Sequence, residues 1–480
     1  MDDALEAKCS CQHCGNHISF PLEAGGETVD CPHCGQKTLL NLETAEPATA
    51  SDKPTASELL KAFGPPVPRT RASLHYQLGL VLVTGLMVLL PLIYIALVGG
   101  VGYGILYYIK RFGHLITSTA GGGRLYLANA ITFLVPLPFA LGLLFFLVKP
   151  LFVKRGPHAQ PLALNPAVEH TLYAFIAKVC DTIRAPMPQA IYLNCELNAA
   201  AGFRRGVLSL FSNDLVLVIG LPLVAGLNLQ QFAGIMAHEF GHFTQGFGMR
   251  LSYVIRIVND WFERVGYEKD ALDVWLAERA ERTDAPWDML FAGCMQFGIW
   301  MARQPLRLLM LIGQVASCFL MRQMEHDADS YEIKLAGSAA SESATRRFLF
   351  LRAALEKSYK DMRVTWNNSR RVPDNFSTYL IYQETTLPPH VRLKIENTIG
   401  FTKTKTFATH PSDTDRIRMA REANERGVFH SELPATILFS NFDAAARQMS
   451  LLHYNEDIGL NCDHSNLRPA TPTSANPQTI

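Results

Sequence analysis

In the stretch "GIMAHEFGHFTQG" (Gly234 to Gly246), two histidines flank a glutamate: His238, Glu239 and His242. On a helix, positions four apart sit one turn apart on one face, so both imidazoles can hold a single metal ion. Glu239 is placed beside the first to take a proton from a metal-activated water. A catalytic site of this kind needs a third protein ligand and an open fourth position. "FLMRQMEHDADSYEIKLAG" (Phe319 to Gly337) offers one. Glu325 and Asp329 are again one turn apart: Glu325 can reach the metal, and Asp329 can accept a hydrogen bond from a ligand imidazole and fix its tautomer. The alternative for this stretch is a solvated acidic helix face. The chemistry indicated is metal-assisted hydrolysis, with Glu239 moving a proton from water to the leaving amine.

The elements around these residues follow from pattern. Asn228 can cap a helix whose apolar positions Phe232, Ile235, Met236, Phe240 and Phe243 recur at three- and four-residue spacing. The acidic stretch reads as a second helix, closed by Gly337. Upstream, residues 190–206 read as a strand ending in a turn, and residues 213–220 as a strand feeding the histidine helix. A strand beside that helix would give an extended peptide an edge to pair with.

A second chemistry lies at the N-terminus. "CQHCG" (Cys11, Cys14) and "CPHCG" (Cys31, Cys34) are two Cys-x-x-Cys-Gly knuckles. Each pair can place two thiolates on one tetrahedral zinc, and the spacing matches a zinc ribbon. Redox or disulfide chemistry is the alternative. Thiolates that hold zinc favour a reducing compartment. Nothing in the ribbon is basic or aromatic enough for nucleic acid, and a net charge of +1 points the same way. A protein partner for the ribbon is left open.

Composition asks for a membrane. Charged residues make up 18% of the 480 and hydrophobic residues 48%, against roughly 25% charged in ordinary soluble chains. Leu78 to Val98 and Leu125 to Val148 carry no charge, and a bilayer core takes about 20 apolar residues in helix. Met289 to Ala302 and Leu308 to Met321 are shorter apolar runs separated by "RQPLR", the length of buried core or re-entrant pieces, with membrane insertion as the alternative. Flanking Lys and Arg lean towards both long flanks being cytoplasmic.

Taken in order, these residues resemble the integral-membrane zinc metallopeptidases that include the CAAX prenyl endopeptidase and the bacterial heat-shock protease HtpX. "HEFGH" is similar to the zinc helix of that family, and "EHDADSYEIKLAG" to its third-ligand helix. Asn198-Ala199 in "LNAAAG" resembles the element beside the active site, and "THPSDTDRI" (Thr409 to Ile417) the C-terminal element. The resemblance implies His238, His242 and Glu325 as zinc ligands, Glu239 as general base and Asp329 as the residue behind a ligand. It implies His410 as a catalytic group and Arg416 as a supporting one near the cleft, with Asn198 and Ala199 lining the substrate strand. It also implies a peptidase domain of the gluzincin type facing the cytoplasm, in a bacterial inner membrane.

The fold class expected is mainly α with a small β-sheet (α+β). The expected order is a zinc ribbon over 1–40, a flexible linker over 41–76 and two transmembrane helices over 77–150. The peptidase domain follows in two parts, 151–250 and 322–460, around inserted amphipathic and apolar helices over 251–321, with a disordered tail over 461–480. One catalytic and one structural Zn²⁺ are expected, with a protein or peptide substrate and membrane lipid as partners. The expected role is membrane-protein quality control or processing. The alternatives are a prenyl-protein processing peptidase and, from another class, a membrane-tethered zinc-ribbon scaffold without proteolysis.

Overall fold

The computed structural model describes residues 6–10, 17–21, 28–39, 55–68, 74–114, 122–152, 162–204, 214–244, 247–268, 271–282, 286–404, 408 and 410–471. The chain divides into two compact units, Met1–Ser57 and Glu58–Ile480.

The first unit holds two antiparallel hairpins, Glu6–Ser10 with His17–Pro21 and Thr28–Asp30 with Lys37–Leu39. Each Cys-x-x-Cys pair falls between the strands of one hairpin. Cys11 and Cys14 lie outside the described residues. Cys31 is buried and Cys34 exposed. The Cys31 sulfur accepts from the His33 N–H at 3.4 Å, and the Cys31 carbonyl accepts from the Gly35 N–H at 2.8 Å. Gly35 has φ +72°, left-handed backbone that glycine adopts without strain and that lets the turn tighten around the sulfur.

In the second unit a four-stranded sheet runs in the order Leu162–Ala163, Ala190–Asn194, Leu215–Gly220, Ala199–Phe203. The stretch read as one strand and a turn is therefore two strands, with Ala199–Phe203 at the edge, antiparallel to Leu215–Gly220. The helix Leu229–Gly241 carries the histidine motif. Asn228 caps it with the reciprocal pair expected of a strong start: its side chain accepts from the Gln231 N–H, and Gln231 accepts from the Asn228 N–H. Phe232, Met236 and Phe240 are fully buried in a core shared with the sheet and helix His170–Ile183.

A separate core joins the helices Leu74–Phe112, Pro136–Val148 and Phe247–Tyr267 to the 51-residue helix Pro286–Ala336. Among the described residues, three helical stretches are long and apolar enough to cross a membrane: Leu74–Phe112, Leu127–Leu151 and Phe291–Ala336. The second is broken by Pro136, where Gly122–Leu134 gives way to Pro136–Val148.

Three expectations are corrected. The two short runs around "RQPLR" are parts of one continuous helix. Its arginines are satisfied from outside: Arg303 bonds Asp273 at 2.7 Å and the Glu268 carbonyl, and Arg307 bonds the Gly266 carbonyl. The 41–76 linker contains a packed segment. Ala56–Lys61 is helical, Phe63 lies against Phe175 and Phe429 with ring centroids 5.5 and 4.2 Å away, and the Val67 N–H donates to the Thr182 carbonyl. The tail is ordered through residue 471. Leu467–Arg468 pairs with Val372–Pro373, and Cys462 and Ala470 are buried. Residues 472–480 lie outside the described residues.

Candidate metal centre

The motif helix and the helix Pro286–Ala336 cross closely enough to bring three donors together. Ligand atoms of His238, His242 and Glu325, one from each, lie within 4.8 Å of one another. His238 Nε2 is 3.4 Å from Glu325 Oε2, and His242 Nε2 is 3.8 Å from Oε1. Zinc bonds of about 2.0–2.1 Å at a tetrahedral angle place ligand atoms about 3.3 Å apart, so two imidazoles and a carboxylate at these separations fit zinc in both chemistry and size.

Behind His238 stands a layer of buried charge. Its Nδ1 is 3.0 Å from Asp329 Oδ1 and 3.8 Å from Glu332 Oε2. The side chain of Arg416, from helix Asp413–Ala423, binds Asp329 at 2.7 Å and Glu332 at 3.0 Å. Glu332 also accepts from the Ser341 hydroxyl. Burial disfavours charge on His238, but the close carboxylates of Asp329 and Glu325 outweigh it and raise the imidazole to about 10. Carboxylates on both sides of the ring thus favour a positive charge there, which a metal ion also provides. Burial, with His238 beside it, lowers His242 to about 3; the neutral ring is the form that ligates.

Glu239 points to the sheet edge, where its Oε2 accepts from the Ala201 N–H at 3.3 Å. Burial raises its pKa, against the opposing pull of His238, Arg256 and the Ala201 N–H. Asn198 and Ala199 line the same cleft, of about 910 Å³. His410 stands at its rim, 67% exposed, with Nδ1 3.2 Å from Glu325 Oε2.

Asn198, Ala199, His238, Glu239, His242, Glu325, His410 and Arg416 therefore line one cleft, and Asp329 stands behind His238. Of the four cysteines in the N-terminal Cys-x-x-Cys pairs, the described Cys31 and Cys34 share one turn. Two residues near the metal centre were missed. Glu332 is seven positions from Glu325 and three from Asp329, so helical spacing alone would have found it. Arg256, whose Nη2 is 3.7 Å from Glu325, lies on the separate helix Phe247–Tyr267 and left no local signal.

Known proteins were compared with this chain. Peptidase family M48 matches residues 166–424, a span that holds both histidines, Glu325 and Arg416. No curated protein and no solved structure matches. With more than half its length matched, the chain belongs to peptidase family M48, and that membership implies metallopeptidase activity.

Proposed function

We propose that the protein is a membrane-bound zinc endopeptidase that cleaves protein substrates, in membrane-protein quality control or processing. The observation that carries this is the convergence of His238, His242 and Glu325 on one point, with Glu239 between that point and a sheet edge.

Zinc held by His238, His242 and Glu325 supplies Lewis acidity and lowers the pKa of water. Asp329 fixes the tautomer of His238 through Nδ1, leaving Nε2 to face the ion. Arg416 holds Asp329 and Glu332 in place and so acts behind the site. Glu239 takes a proton from the attacking water and passes it to the leaving amine. A substrate strand pairs along Ala199–Phe203, with Asn198 and Ala199 beside the scissile bond. His410 and Arg256 face the cleft and stabilise negative charge developing on the carbonyl oxygen.

Cys11, Cys14, Cys31 and Cys34 hold a second, structural zinc. The sulfur-directed N–H of His33 and the tight turn at Gly35 support this for the described pair. The three apolar helices serve as membrane spans. The ribbon and peptidase domain face the cytoplasm, in a bacterial inner membrane.

The test is cleavage of an unfolded protein by the purified, zinc-loaded chain in detergent, with Glu239→Gln alongside. Glu239→Gln should keep its zinc and lose at least about a hundredfold in rate, the usual worth of a positioned base. His242→Ala should lose both metal and activity. Equal cutting by wild type and Glu239→Gln would remove the support for Glu239 as the base. Silence from both, with two zincs bound per chain, would favour the scaffold.

A further inference from the structure

Three arginines line the cleft: Arg256, Arg352 and Arg416. Two are occupied by the metal centre, since Arg416 holds Asp329 and Glu332, and Arg256 faces Glu325. Arg352 makes no ion pair among the described residues. Its guanidinium lies over the Phe348 ring, 4.9 Å from the centroid, and the side chain is exposed to the cleft.

Its place is set by the helix Ser338–Ser369. That helix starts beside the metal centre, where Ser341 bonds Glu332. It then runs away from it, and Arg347 bonds the Gly226 carbonyl. Arg352 is eleven positions beyond Ser341, about 16 Å along the axis at 1.5 Å per residue. Apolar side chains line the same cleft: Phe348 from this helix, Leu223, and Ile235, which stands one turn before Glu239 on the motif helix. The cleft thus combines the candidate metal ligands, apolar side chains and, on an aromatic ring, an arginine with no ion pair among the described residues. A guanidinium already stacked on a ring has fewer conformations to lose when a carboxylate arrives, and its planar fork matches one in two-point contact.

We infer that Arg352 determines specificity: it binds a carboxylate of the substrate a few residues from the scissile bond, with an apolar side chain between them on Ile235, Leu223 and Phe348. The carboxylate is that of an acidic side chain or of the substrate's own C-terminus. This rests on the peptidase reading above. Glu196 lines the same cleft and repels such a group, so the two side chains should act with opposite sign.

The test uses full-length, zinc-loaded protein in detergent micelles and a mixed peptide library made with free and with amidated C-termini. Cut sites are read by mass spectrometry. Wild type should enrich Asp and Glu at one position, or free over amidated termini, by roughly two- to fivefold, the range of a partly exposed charge pair. Arg352→Gln should flatten that preference, Arg352→Glu should turn it towards Lys and Arg, and Glu196→Gln should sharpen it. Loss of the free-terminus preference alone would assign the carboxylate to the chain end; loss of the Asp and Glu preference alone would assign it to a side chain. Identical rankings in active wild type, Arg352→Gln and Arg352→Glu would overturn the inference. Retention of the same library on immobilised Glu239→Gln protein, with and without Arg352→Glu, gives a readout without catalysis. If nothing is cut, the peptidase reading fails, while an Arg352-dependent retention of acidic peptides still upholds the subsite and its absence sinks it.

Discussion

His238 is held from both sides, and the two sides do different work. Nε2 faces Glu325 and the metal position, while Nδ1 faces Asp329 at 3.0 Å and Glu332 at 3.8 Å. Only the shorter contact is within hydrogen-bond length, so Asp329 orients the ring and Glu332 acts through Arg416. Asp329→Asn should therefore cost about 10–100-fold in zinc affinity, the usual effect of losing an outer partner of a ligating histidine. Glu332→Gln should cost much less. A competition titration with a chromophoric chelator measures both. Equal losses would mean that the whole anionic layer, and not one oriented bond, sets affinity. Arg416 is a different case. Asp329 and Glu332 are 3% and 2% exposed, and Arg416→Met would leave two buried carboxylates facing each other. Breaking a buried charge cluster from one side costs about 3–5 kcal/mol, visible as a lower unfolding midpoint even in the zinc-free protein.

The reach of Glu325 to the histidines depends on how closely two helices approach. Gly234 and Gly241, seven apart on the motif helix, both face the helix Pro286–Ala336. A Cβ on Gly241 would stand 3.3 Å from the Ala328 backbone and 3.2 Å from the Tyr331 ring; one on Gly234 would stand 3.0 Å from the Ala336 Cβ. The Ala328 backbone and the Ala336 methyl cannot turn aside, and the Tyr331 ring is fully buried. Gly→Ala gains about 1 kcal/mol in helix propensity, but overpacking costs about 1–3 kcal/mol. Gly241→Ala should therefore lose zinc affinity as the helices part, whereas Gly85→Ala, with nothing within 4 Å of its Cβ, should not. Zinc titration of the two variants decides it; an unaffected Gly241→Ala would show that the crossing has slack. Legibility in the sequence follows the same division between near and far. His238 with His242, and Glu325 with Asp329, declare themselves because each pair is spaced by a single turn. The continuity of the helix Pro286–Ala336 does not, because the partners of its two mid-helix arginines, Asp273 and the Gly266 and Glu268 carbonyls, come from an earlier part of the chain. Likewise, Phe63 sits in a stretch rich in Pro, Ala and Thr, and its partners Phe175 and Phe429 are far along the chain. Contacts across hundreds of residues leave no period to read.

At the scale of the molecule, one helix joins a proposed membrane span to the candidate metal site. Pro286–Ala336 is 51 residues long, about 76 Å at 1.5 Å per residue, whereas a bilayer core is about 30 Å thick. Its exposed apolar side chains extend as far as Phe319, which is 69% exposed, and Glu325 follows six residues later, about 9 Å along the axis. The proposed membrane span and the third metal ligand thus share a rigid rod, and no flexible joint separates the centre from the lipid surface along it. A scissile bond should be cut best when it sits close to a membrane anchor in the same bilayer. A tether that just spans the gap gives the highest effective concentration, which then falls roughly as the −3/2 power of tether length. The measurement is a reconstituted series in which one cleavable sequence is joined to a transmembrane anchor through Gly/Ser spacers of about 5 to 40 residues. Cleavage should peak at the short end and decline along the series, with the unanchored sequence slowest at equal concentration. A rate independent of both anchor and spacer would mean that the cleft collects substrate from bulk solution, and that the long apolar helices hold the enzyme in place without governing what reaches its metal.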